Sequence, residues 1–81
     1  MPEIEDIETD IINYFERQNI ELEAEENIFT SGLVDSIAMM QLIATLEKKY
    51  DYKTPSIDLV PNNFRTIRVT ATYFYEKLSA P

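Results

Sequence analysis

Ser36, preceded by Asp35, is the residue whose setting most suggests chemistry, and its surroundings limit what that chemistry can be. The 81 residues contain neither histidine nor cysteine. Without histidine, the commonest general base and the commonest metal ligand are both missing. Without cysteine there is no disulfide, no thiolate nucleophile and no thiolate metal site. If Ser36 were a nucleophile, its base would have to be Lys48 or Lys49. Both lie about three helical turns or more further along, whereas nucleophile and base must come within hydrogen-bond reach. No residue is assigned a catalytic role, and the chain is read as not an enzyme. The acidic run Glu21, Glu23, Glu25 and Glu26 lacks the D-x-D-x-D-G spacing of a calcium loop, so it reads as solvated charge and no metal is assigned. Taken alone, Asp35-Ser36 is a common signal for capping a helix.

The elements that must position Ser36 follow from hydrophobic periodicity. Ile4, Ile7, Ile11 and Phe15, with Tyr14 beside them, fall within about 100° on a helical wheel. Acids crowd the first turns, where the helix dipole favours them, and a first helix is expected over 3–18. The period is then lost through residue 34. This long connection is expected to be pinned to the core by Leu22, Ile28, Phe29 and Leu33. It holds Gly32, the only glycine of the chain, which marks a backbone conformation that other residues tolerate poorly. A second helix opens at Asp35-Ser36 and runs to about Tyr50. A short helical turn is expected near 56–60, between Pro55 and Pro61. Thr66 suits the cap of a last helix, in which Ile67, Ala71, Phe74 and Leu78 gather within about 60°. With no strand signal, the expected fold is all-α: a small bundle of three main helices and one short one, forming one domain over 1–81.

Composition narrows the class further. The formal charge is -8, which argues against binding nucleic acid, whose phosphates would repel the chain. The charge is uneven. Ten acids and Arg17 share residues 1–26, while 27–50 is neutral and 51–81 carries one net positive charge. No apolar run approaches the ~20 residues of a membrane span, and the acidic N-terminus does not resemble a signal peptide. A cytoplasmic protein, monomeric and not inserted in a membrane, is the expectation.

The second helix has more apolar surface than one core contact uses. With Ser36 at 0°, Leu42, Leu46, Met39, Tyr50 and Ile43 occupy roughly 240° to 340°. Met40, Ala44 and Ile37 extend the apolar arc on the serine's own side to about 220° in all, beyond the stripe a surface helix normally buries. Either the loop and the short helical turn cover this second stripe, or it stays partly exposed to dock partner proteins. Methionine suits such a surface because it adapts to differently shaped partners.

The segment Phe29-Thr30-Ser31-Gly32-Leu33-Val34-Asp35-Ser36-Ile37 resembles the attachment motif of the acyl and peptidyl carrier protein family. The continuation MMQLIATLEKKYDYKTP is similar to that family's second helix and following loop, with Leu42, Leu46, Glu47 and Tyr50 in matching places. Pro61, Asn62, Phe64 and Thr66 match the turn into the last helix. The resemblance spans roughly residues 28–78. It implies an acyl-carrier-protein-like bundle and a covalent 4′-phosphopantetheine, joined from coenzyme A to the Ser36 hydroxyl by a phosphopantetheinyl transferase. Asp35 would then be a helix cap and transferase contact, and a candidate magnesium ligand during that reaction only. A phosphodiester at a helix N-terminus meets unpaired N–H groups and the positive end of the dipole. The reactive sulfur would come from the cofactor.

The implied function is a discrete carrier that shuttles acyl or aminoacyl thioesters. Its partners would be an acyl- or aminoacyl-loading ligase or acyltransferase and a downstream synthase or transferase. Polyketide or nonribosomal peptide-type biosynthesis is the leading setting. D-alanylation of cell-wall polymers and fatty acid synthesis are alternatives, and a plain helical interaction module is the non-carrier alternative. Fatty-acid carriers place acids along the second helix. Here Gln41 and Lys48 take that face and leave Glu47 almost alone. Ile37, Met40, Gln41, Ala44, Glu47 and Lys48 form the expected partner surface, gripping mainly through Ile37, Met40 and Ala44. Phe64, Tyr73 and Phe74 imply a filled core with little room for a long acyl chain.

Overall fold

The computed structural model describes residues 2–30, 32 and 34–80. Helix α1 runs Ile4–Glu16, α2 Ser36–Tyr50 and α3 Ile67–Ser79, with two 3-10 turns, Ser56–Asp58 and Pro61–Asn63, between α2 and α3. Each α-helix begins on a local signal. Glu3 N–H donates to Asp6 Oδ2 at the start of α1, in the manner of a capping box. Asp35 Oδ1 accepts from Ala38 N–H at α2, and Thr66 Oγ1 accepts from Val69 N–H at α3. Helix α2 ends at Asp51, which takes the left-handed conformation and returns its N–H to Glu47 O. Lys48 and Lys49 sit in its last turn, where the dipole favours cations.

One core joins the three helices. Ile7, Ile11 and Phe15 of α1, Met39, Leu42, Ile43 and Leu46 of α2, and Ile67, Ala71 and Phe74 of α3 are buried. Helix α1 packs chiefly on α3. The apolar arc read from the wheel is therefore the core-facing one on α1 and α3, and on α2 the part of it that holds Met39, Leu42, Ile43 and Leu46. Thr70 is also fully buried, its hydroxyl satisfied by donating to Thr66 O.

The described residues of the long connection are tied to the core by backbone bonds as well as by side chains. Ile28 is buried and its N–H donates to Arg65 O over 2.7 Å, while Arg68 N–H donates to Ala24 O over 2.9 Å. Leu22 and Phe29 pack against the core. Leu33, also expected there, lies outside the described residues. Gly32 adopts φ of 75°, and a side chain there would meet open space. Conformation, not crowding, is thus what asks for glycine at this position.

The turn expected between the two prolines exists as a 3-10 turn, and a second one follows it. The described residues thus hold three α-helices, and no fourth. Val60 is extended at φ −124° and ψ 147° because Pro61 crowds the α conformation of the residue before it. Pro55 and Pro61 each lack an N–H, which further limits continuous helix across this segment.

Candidate functional site

Asp35 and Ser36 form the threshold of α2. Asp35 is extended, at φ −102° and ψ −178°. Its side chain accepts from Ala38 N–H at 2.8 Å and its carbonyl from Met39 N–H at 3.0 Å. The carboxylate therefore faces into the helix end as a cap. Ser36 is the first helical residue and is exposed.

The second apolar stripe of α2 is not covered. Ile37 is 70% and Met40 48% exposed, and Ala44 is exposed as well. With Ser36 and Gln41 these three line a shallow groove of about 350 Å³. The segment after α2 reaches only the flank: Met40, Ala44 and Glu47 share another groove with Thr54, Pro55 and Leu59. Gln41 and Lys48 are exposed. Glu47 differs from them, being half-buried, with Oε2 accepting Thr54 N–H at 2.7 Å. It ties α2 to the segment beyond it.

Three features were not read from the sequence. Ile57, 82% exposed, and Val60, 44% exposed, add apolar surface from the segment between the prolines. No helical period orients that segment, so the sequence carries no signal for their exposure. Facing it, Ser36, Met40, Leu59, Val60, Phe64 and Arg65 line a cleft of about 530 Å³. Arg65 and Ser36 lie far apart in the sequence and meet in this lining only through the tertiary structure.

Tertiary hydrogen bonds hold the walls of the site. Tyr73 Oη donates to Asp58 Oδ2 at 2.8 Å and lies 3.2 Å from Tyr52 Oη. Phe64 meets the Tyr73 ring edge-on, with centroids 5.2 Å apart. Burial first, and then the hydrogen bonds to Tyr52 and Asp58, push the Tyr73 phenol well above its ordinary range. Tyr73 therefore acts as a neutral donor that anchors the first 3-10 turn to α3.

A capped helix end, an exposed serine at its first residue and an adjoining cleft can present a covalently attached flexible group. A family model described as the phosphopantetheine attachment site matches residues 5–74, and the chain belongs to that family. That family is one of carrier proteins that bind phosphopantetheine. The chain is similar to the D-alanyl carrier proteins of Lactobacillus helveticus (strain DPC 4571) and Lactobacillus acidophilus (strain ATCC 700396 / NCK56 / N2 / NCFM). Each is 37% identical over 46 residues, covering 57% of this chain and 58% of the relative. The match thus spans a little over half the length of these curated relatives. No solved structure matches the chain. None of the described helices is long and apolar enough to cross a membrane.

Proposed function

We propose that Ser36 bears the phosphopantetheine arm and that the chain presents an aminoacyl or acyl group to successive enzymes. The observation that carries this reading is the exposed hydroxyl at the first residue of a capped helix, inside a chain that belongs to an attachment-site family. When bound, the arm supplies the thiol that holds the cargo as a thioester. The chain's own part is to hold the attachment point still, leave it open and offer docking surface beside it. Asp35 serves as cap and as contact for the modifying transferase. Its carboxylate is engaged by Ala38 N–H, so the base that takes the serine proton is assigned to the transferase.

Residues 1–81 are read as one carrier domain. The radius of gyration of 11.7 Å supports this, since a compact domain of this length has about the same value. The partners are a phosphopantetheinyl transferase, a loading ligase or acyltransferase and a downstream synthase or transferase, met in the cytoplasm. The names of the two relatives favour an aminoacyl cargo, with D-alanine as the specific case, which suits the alternative of D-alanylation. Polyketide or nonribosomal peptide-type assembly is the second reading, favoured by the scarcity of acids along α2, where Glu47 stands alone and Gln41 and Lys48 are exposed.

Incubation with coenzyme A and a broad transferase should add one phosphopantetheine to the intact mass, and Ser36→Ala should abolish the addition. Retention of the mass gain by the alanine variant would place the arm elsewhere. Loading of the modified chain by a D-alanine-activating ligase, and not by acyl-transferring enzymes, distinguishes the two cargo readings.

A further inference from the structure

The lining of the cleft beside Ser36 contains a single charged side chain among the described residues, that of Arg65. Arg65 is exposed. The ion pairs among the described residues join Lys49 to Asp10, Arg68 to Glu8 and Lys77 to Asp58, and leave Arg65 without an acidic partner. Its backbone is nonetheless firmly held. Arg65 O accepts the N–H of buried Ile28 at 2.7 Å, and the next residue, Thr66, caps α3. The exposed side chain thus stands on backbone that is hydrogen-bonded to Ile28 and adjoins the cap of α3.

We propose that Arg65 is the positioning residue for the arm, pairing with the phosphodiester at Ser36 and turning the arm into the Arg65 cleft. This rests on the reading that Ser36 bears the arm. A phosphodiester carries a negative charge, and here it would stand one residue from the Asp35 carboxylate, so a nearby cation offsets a repulsion built into the site. The planar fork of a guanidinium matches two phosphate oxygens at once, which an ammonium does not. The cleft, about 530 Å³, falls in the range of small-molecule sites. Its lining mixes the amides of Asn27 and Asn62 with Leu59 and Val60, which suits an arm of alternating amide and methylene groups. The competing groove along Ile37 and Ala44 has no charged side chain in its lining. Charge complementarity therefore selects the cleft.

The test uses the full chain before and after modification, followed by amide and phosphorus magnetic resonance. Attachment of the arm should shift the Val60, Phe64 and Arg65 amides more than those of Ile37 and Ala44. Arg65→Gln should reduce the docked population by about two- to fivefold, the range expected of an exposed charge pair. Arg65→Lys should retain part of it, and added salt should weaken docking in the wild type. An unmodified Arg65→Gln chain whose amide spectrum matches the wild type away from residue 65 confirms an intact fold. Arm-induced shifts that are the same in Arg65→Gln, or that are confined to Ile37, Gln41 and Ala44, would overturn the proposal. If the wild-type chain gains no phosphopantetheine by mass, the attachment reading itself fails, and that result appears before any spectrum is compared.

Discussion

Asp35 meets two demands at one position. It caps α2 through Ala38 N–H, yet places a carboxylate beside the hydroxyl proposed to become a phosphodiester. The cap and the charge can be separated by substitution. Asp35→Ala should lose about 1 kcal/mol, which in a domain of this size lowers Tm by about 4–8 °C. Asp35→Asn keeps a cap oxygen and should melt close to wild type. If the asparagine variant is stable but slowly modified, the charge serves the transferase. If alanine melts like wild type, the cap is not what holds the start of α2. Glu8 teaches a different lesson at this scale. Only 8% exposed, it accepts from Arg68 Nε across the α1–α3 interface. The Arg68 guanidinium is pushed up from its ordinary value, first by that hydrogen bond and then by the charge of Glu8.

Among elements, the C-terminal end of α2 is fastened to α1 at Asp10. Lys49 Nζ pairs with Asp10 Oδ1 at 2.7 Å, and Tyr50 Oη donates to Asp10 Oδ2. Burial first, and the Asp10 hydrogen bond second, push the Tyr50 phenol well above its ordinary value. An unfolded chain gives up that proton near pH 10, and the folded chain holds it to higher pH. The stabilisation is thus complete below about pH 10 and is lost as pH rises beyond it. Tyr73 is shifted in the same direction and adds to the alkaline loss. Tyr50→Phe should cost about 1 kcal/mol at neutral pH and flatten the decline in stability above pH 10, as measured by urea unfolding at several pH values. An alkaline limb as steep as that of wild type would show that the Tyr50–Asp10 bond does not govern it.

Across the whole molecule, the acidic surface of residues 1–26 and the exposed apolar surface around Ser36 are kept apart. No acid from residues 1–26 lines the cleft or the grooves around Ser36. Among the described residues four large apolar side chains are exposed, namely Ile37, Met40, Ile57 and Val60, of which Met40 and Val60 share the Ser36 cleft. Docking through such a face should depend on packing more than on steering by charge. Met40→Ala is expected to raise a loading enzyme's KM about fivefold, as loss of roughly 1 kcal/mol at an interface does. Raising salt from low to physiological strength should change the wild-type KM by less than about twofold. A steep salt dependence combined with a harmless Met40→Ala would reject apolar docking.

The start of every helix, and the end of α2 near Tyr50, was legible in the sequence. Asp35 and Thr66 are local caps, and an apolar spacing such as Ile7, Ile11 and Phe15 names the buried face without knowledge of its partner. Gly32 likewise announced its positive φ. The prolines announced a break but not its form, because two short 3-10 turns and one short helix present the same local pattern. Tertiary structure alone decided that Glu8 is buried against Arg68, that Glu47 holds the Thr54 backbone, and that Arg65 arrives beside Ser36. It also decided that nothing among the described residues covers Ile37. Capping and periodicity are set by neighbours within about four residues. A counter-ion or a covering side chain comes from segments far away in the chain, and its position exists only once the core has closed.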